Sequence, residues 1–248
     1  MPDFRPVFIL RFESARLFAR RGLFWVEMKV LPENIALLYE DRAILVVDKP
    51  AGLLTIATET EKRRTVYAVL FGLLRRRRPP ERLFIVHRLD REASGLLVFA
   101  KTEIAKLRLQ DQFKDHSAHR TYRAVTEGRL ADDTRTLRSY LAENAAFRCY
   151  STRNQTQGKL AITHVRVIQR TVSKTHLEVE LETGRKHQIR VHLAELGHPI
   201  VGDPAYGNKK SPIRRLALHG MKLIFKHPVT EKILEFESPP PTCFARLV

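Results

Sequence analysis

Chemistry in this chain is most easily imagined where a carboxylate sits among cations. Asp90 lies in His87-Arg88-Leu89-Asp90-Arg91-Glu92-Ala93-Ser94-Gly95-Leu96-Leu97, a glycine-containing turn that leads into an apolar run. Nearby guanidinium charge favours the ionised form, so such a carboxylate is available at neutral pH as nucleophile or base. Taken alone, the same aspartate can also cap the turn or pair with Arg88 or Arg91. A second candidate is Tyr122 in Arg120-Thr121-Tyr122-Arg123-Ala124. Its ring can stack on a planar group and its phenol can handle a proton, although a strand tyrosine is by pattern core or surface filler. The third stretch is Thr183-Gly184-Arg185-Lys186-His187-Gln188-Ile189-Arg190-Val191-His192, followed by Gly197-His198-Pro199-Ile200-Val201-Gly202-Asp203-Pro204-Ala205-Tyr206-Gly207. A planar guanidinium such as Arg190 can hold a carboxylate in one orientation better than a lysine can.

Two other chemistries are excluded by spacing. His187, His192 and His198 cluster, but no His pair stands at i and i+4, no HExxH occurs, and Cys149 and Cys243 lie elsewhere, so no metal is expected. The glycines of the same stretch match neither GxGxxG nor GxxxxGK[ST], so no nucleotide cofactor is implied.

These residues must be positioned by elements, and the periodicity predicts several. Ala43–Val47 reads as a buried strand ended by the turn at Asp48-Lys49-Pro50-Ala51-Gly52. Val66, Val69, Leu70, Leu73 and Leu74 recur at helical spacing, in a helix expected to run into Arg75–Arg78 as a solvated face and to stop at Pro79-Pro80. A strand follows at Leu96–Ala100, and a helix over Glu103–Lys114 puts Ala105, Leu109 and Phe113 on one face. Strands are predicted at Thr121–Thr126 and Ile162–Ile168. Leu177, Val179 and Leu181 alternate with Glu178, Glu180 and Glu182, a period of two with the apolar face on the core. Ile189, Leu193 and Leu196 make a helix with Gly197 at its C-terminal cap. Leu216, Leu218, Leu223 and Phe225 suggest further strands. Many strands with few helices between them point to an α+β fold whose mixed, largely antiparallel central sheet is flanked by helices and loops.

Composition bounds the rest. The 248 residues are 44% hydrophobic, enough for one sizeable core or two smaller lobes sharing a sheet, and neither repeats nor a Ser/Gly linker divide them. Lys and Arg total 44 against 27 Asp and Glu, a formal charge of +17 that suits a polyanionic partner through counterion release. No apolar run approaches the roughly 20 residues needed to cross a bilayer, so a membrane partner is not expected. Two distant cysteines point to a reducing, cytoplasmic setting. Residues 1–27 carry Arg5, Arg11, Arg16, Arg20 and Arg21 and read as a basic extension, with Met28 as the expected start of the native protein. An Arg-rich targeting segment and a basic arm touching a polyanion are the rival readings.

The first motif is where the sequence resembles a known family, the RluA-type RNA pseudouridine synthases. Their signature His-Arg-Leu-Asp-x-x-Thr-Ser-Gly-Leu-Leu matches residues 87–97 except that Ala93 replaces the threonine. Residues 120–124 are similar to the family's basic-x-Tyr-x-Ala motif, and residues 183–192 to its Thr-Gly-Arg-x-His-Gln-Ile-Arg-x-His. The likeness extends from Leu38-Tyr39-Glu40-Asp41 to Ser238-Pro239-Pro240-Pro241, so residues 28–248 are expected to form the catalytic domain. The resemblance implies Asp90 as the catalytic carboxylate, Arg190 as its ion-pair partner and Tyr122 beside it. Arg88 would brace the space that a flipped nucleotide vacates, and His87, Arg185 and His187 would contact substrate. Leu216 or Leu218 resembles an apolar family motif that packs against the site.

The implied reaction breaks the uracil N1–C1′ bond, turns the base and joins C1′ to C5, after the base has left its stack. Asp90 would act at C1′ or at the base, whereas a glycal route requires loss of the C2′ proton. The implied partner is a ribosomal or transfer RNA stem-loop with an unpaired uridine, bound by a monomer that needs no cofactor. The family's frequent N-terminal S4 domain has too few residues here. Selection is then expected from the catalytic domain and the Arg75–Arg78 cluster. A catalytically silent RNA-binding protein and a hydrolase that releases free base are the other classes compatible with these residues.

Overall fold

The computed structural model describes residues 7–13, 16–21, 24–27, 29–207 and 211–247, with the backbone course alone for those before 29. Met28 lies outside them. The chain divides into two compact units, Met1–His119 with Gly220–Pro239, and Arg120–His219 with Pro240–Val248.

The first unit contains strands Val7–Glu13 (β1), Arg16–Arg21 (β2), Phe24–Glu27 (β3), Lys29–Leu31 (β4), Ile35–Glu40 (β5) and Ile44–Lys49 (β6). Helix Val66–Arg75 (α1), strands Phe84–Ile85 (β7) and Ser94–Ala100 (β8), and helix Glu103–Lys114 (α2) follow. The chain leaves this unit at the start of His119–Glu127 (β9). Within the second unit it forms Thr134–Glu143 (β10), Cys149–Thr152 (β11), Lys159–Arg170 (β12), Lys174–Leu181 (β13) and helix Gln188–Glu195 (α3). It returns through Leu218–Lys226 (β14) to Ile233–Glu237 (β15), before the short helix Thr242–Ala245 (α4).

In the first unit β8 is central. β6 pairs along it from Gly95 to Ala100, so β7 and β14 share its other edge. β4 and β5 extend the sheet beyond β6, and β15, β1, β2 and β3 extend it beyond β14. β1 and β15 run parallel while the other registered pairs are antiparallel, which makes the sheet mixed and largely antiparallel, as the pattern of elements predicts. All seven residues of β8 are buried, which is why Leu96–Ala100 reads as a continuous apolar run and not as an alternation. Val46, Val98, Leu109, Leu223, Phe225 and Phe236 belong to the core of this unit.

α1 is capped by Thr65, whose hydroxyl accepts from the Ala68 N–H, and it buries Val66, Leu70 and Leu74, a single seam at i, i+4, i+8. Each such side chain contributes about 1.5–3 kcal/mol through burial. The helix ends at Arg75, four residues before the prolines expected to stop it. There the N–H groups of Arg77 and Glu81 both turn back to the Leu74 carbonyl, and the Arg77 side chain is held by Glu40 and Glu81. α2 matches its predicted span and buries Ala105 and Leu109.

The second unit has strand order β11-β10-β12-β13-β9, antiparallel throughout. β13 buries Leu177 and Val179, while Leu181, at its end, is half-exposed. β10 carries no clear period because Leu141 is its one buried residue and the others are exposed or half-buried without alternation. α3 ends with Gly197 at φ +85, a left-handed cap that needs a glycine.

Candidate active site

The loop that carries Asp90 is held on both sides of the aspartate. The Leu89 N–H donates to the Thr55 hydroxyl at 3.2 Å, and that hydroxyl donates to the Leu89 carbonyl at 2.8 Å. On the other side, the Arg91 carbonyl accepts from the Gly52 N–H at 2.8 Å and from the buried Lys49 ammonium at 3.2 Å. Lys49 also donates to the carbonyls of Pro50 and Leu53, so one desolvated cation gathers three backbone oxygens beneath the turn. Asp90 itself is half-buried.

The flanking motif residues divide in their use. His87 turns inward: its Nε2 accepts from the Val98 N–H at 3.1 Å, and its ring stacks on Phe113 at 4.6 Å. Accepting at Nε2 puts the ring proton on Nδ1. Arg88 is exposed and makes no ion pair among the described residues.

In the second unit, Arg190 is among the largest fully buried side chains, on α3. Its Nε and Nη2 donate to Asp203 Oδ2 and Oδ1, both at 2.8 Å, a two-point grip that fixes the guanidinium plane. Oδ1 of Asp203 also accepts from the N–H groups of Ala205 and Tyr206. Burial would push the Asp203 carboxyl up. The hydrogen bonds and charge of Arg190, with the two backbone donors, outweigh it and hold the carboxyl below its ordinary value.

The Tyr206 ring centroid lies 5.2 Å from the Arg190 guanidinium carbon, and its hydroxyl is 3.0 Å from His187 Nδ1 and accepts from the Cys149 N–H. Burial pushes this phenol up to about 12, so it stays protonated and able to donate. The backbone of His187 is left-handed, at φ 54, as the chain enters α3. Gln188 saturates its amide: Oε1 accepts from the Thr183 hydroxyl and the Arg185 N–H, while Nε2 donates to the Ile162 carbonyl and the Thr163 hydroxyl. Arg185 is exposed, anchored by its Nε to the Leu160 carbonyl.

Residues 43–195 match the family described as RNA pseudouridylate synthase. A Bacillus subtilis protein named as an uncharacterized RNA pseudouridine synthase is 36% identical over 218 residues, covering 86% of this chain and 71% of that protein. The chain belongs to the RNA pseudouridine synthase family. A ribosomal large subunit pseudouridine synthase D of Neisseria meningitidis is 37% identical over 225 residues, 85% of this chain, and the chain spans only 60% of that relative's length. The fold is shared with the human RNA pseudouridylate synthase domain containing 4, at TM-score 0.70 over 84% of this chain and 90% of that one, with 23% identity.

The synthase motifs thus fall on separate elements: Asp90 on the loop before β8, Tyr122 on β9, and Arg190 on α3. Tyr122 is 6% exposed and pairs in register with Val179 of β13. Leu216 and Leu218 are also buried. Ala217 between them accepts from the Val125 N–H and donates to the Val201 carbonyl, which sets this stretch beside Gly202-Asp203. The three histidines of the motif serve different neighbours. His187 meets Tyr206, His192 bridges Thr163 and Ser139, and His198 faces the Glu127 carbonyl.

Sequence reasoning missed roles for Thr55, Asp203, Tyr206 and Gln188. Asp203 and Tyr206 stand in the stretch that follows the third motif, beyond the 43–195 family match, so their place in that stretch was the one signal for them. Nothing in a spacing of thirteen residues, however, shows that a buried arginine closes on that particular acid.

Proposed function

We propose that this chain isomerises uridine to pseudouridine in RNA, with Asp90 as the carboxylate that acts on the nucleotide. The observation that carries the reading is the family match over residues 43–195, with the His87–Leu97 motif inside it and its Asp90 turn clamped by Thr55, Gly52 and Lys49. A carboxylate on a rigid loop loses little entropy in meeting a flipped nucleotide. Tyr122 supplies a ring for the extruded uracil, and Arg190 is the guanidinium that the resemblance pairs with the catalytic carboxylate. Arg88, exposed and without an ion pair among the described residues, suits the space left in the RNA. Arg185, His187 and Leu218 serve as further RNA contacts, while His87 steadies the loop through Val98 and Phe113.

The relatives' names point to large-subunit ribosomal RNA as the substrate, and the motif resemblance keeps transfer RNA as the other target class. Among the described residues no helix is long and apolar enough to cross a membrane. We place the enzyme in the cytoplasm as a monomer that needs no cofactor.

The test is chemical mapping of pseudouridine in unmodified large-subunit ribosomal RNA and in bulk transfer RNA after incubation with the protein. Wild type should create a discrete site that Asp90→Asn does not. An undiminished rate in Asp90→Asn removes Asp90 from the role, and free uracil among the products replaces the synthase reading with a hydrolase.

A further inference from the structure

The hairpin between β10 and β11 ends in a feature that neither packing nor turn chemistry requires. Phe147, at its tip, is 74% exposed and adopts the left-handed backbone at φ 58. A bulky side chain rarely occupies that region, and an aromatic ring left in water contributes no burial. Glycine or asparagine would make the same turn more cheaply.

The turn is nevertheless firmly built. Asn144 Oδ1 accepts from the N–H groups of Ala146 and Arg148, both at 3.0 Å. The Phe147 N–H donates to the Asn144 carbonyl at 2.9 Å, and the Asn144 N–H to the Arg148 carbonyl at 3.0 Å. Lys186, paired with Glu143, donates to the Phe147 carbonyl and holds its ammonium 5.7 Å from the ring centroid. A strained, solvent-facing aromatic is therefore presented on a rigid support, the kind of outlier that marks function.

Its surroundings indicate the ligand. The next residue, Arg148, is exposed, makes no ion pair among the described residues, and lies 5.3 Å over the Tyr206 ring that also meets Arg190 and His187. Arg153, farther along the same hairpin, is exposed and also makes no ion pair among the described residues. The Cys149 N–H bonds to the Tyr206 hydroxyl, so the hairpin is tied directly to the Arg190 cluster. An exposed ring beside cations is the composition that binds unpaired nucleotides, the ring by stacking and the cations through phosphate.

We propose that Phe147 stacks on an unpaired base of the RNA substrate, with Arg148 on the adjoining backbone. This rests on the reading of the chain as an RNA-modifying enzyme. The test measures equilibrium binding of in vitro transcribed large-subunit ribosomal RNA to the full chain, in an Asp90→Asn background so that turnover does not intervene. Phe147→Gly and Phe147→Leu should each weaken binding about tenfold, while Phe147→Tyr should bind as the parent does. Because glycine accepts the left-handed backbone, Phe147→Gly should leave the melting temperature unchanged or raise it. Wild-type affinity in Phe147→Gly overturns the proposal. So does full affinity in Phe147→Leu, which would make the contact merely apolar, or a fall in melting temperature that accounts for the loss. Absence of pseudouridine formation by wild type, with binding still dependent on the ring, would overturn the functional reading and leave this one standing.

Discussion

Arg190 and Asp203 show how much rests on one contact. Their side chains are 2% and 0% exposed, so each has given up water and depends on the other as a charged partner. Removing one partner strands a buried charge, and Asp203→Ala should cost about 3–5 kcal/mol in urea unfolding. Because the Asp203 carboxyl is held below its ordinary value, its stabilising contribution is present above the unfolded pKa, about 3.9. It is lost as pH falls through the lower folded value. Comparing wild type with Asp203→Asn in unfolding experiments should therefore show a difference that narrows only below about pH 4. A difference that narrows already at neutral pH would assign the effect elsewhere.

The pairing of β8 with β14 illustrates what an element demands of a single residue. Gly95 has φ +124, and a Cβ there would lie 2.4 Å from the backbone nitrogen and oxygen of Gly220. The glycine of the His87–Leu97 motif is thus set by the close approach of two strands, independently of any chemistry on Asp90. Gly95→Ala should destabilise the fold by about 3 kcal/mol, seen as a lower urea midpoint with an unchanged slope. A midpoint within error of wild type would mean that the strands separate at no cost. Gly202, where a Cβ would lie 2.0 Å from the Arg215 carbonyl, is constrained in the same way in the second unit.

Over the whole molecule, charge and buried histidine set the response to solution conditions. With a formal charge of +17, RNA binding should weaken steeply as salt is added, and each lost phosphate contact should reduce the slope of log K against log salt by about 0.7–0.9. Arg75→Ala combined with Arg76→Ala tests this: both side chains are exposed and make no ion pair among the described residues, so stability should hold while the slope falls. Burial depresses the pKa of His192 and of His176, and the positive charge of Arg123 adds to the effect on His176. The unfolded chain therefore binds protons first, and stability should decline as pH drops below about 6.5. His192→Gln should flatten that decline in unfolding measured across pH. An unchanged profile would remove His192 as a cause.

The sequence alone determined the family motifs and the elements whose side chains repeat with a clear period. β8, α2, β13 and α3 lie where their apolar residues predicted them, because each packs one face, or both, against a core. β10 and β11 escaped notice because each buries a single residue, Leu141 and Cys149, and a strand held by its neighbours' backbone needs no apolar alternation. Motif likeness singled out Asp90, Tyr122 and Arg190 as candidates. Tertiary structure alone revealed that Thr55 and Lys49 clamp the Asp90 turn, that Asp203 grips Arg190, and that Phe147 stands on a rigid tip. Those contacts join residues distant along the chain through hydrogen bonds and burial, and a one-dimensional pattern records periodicity but not which distant atoms finally meet.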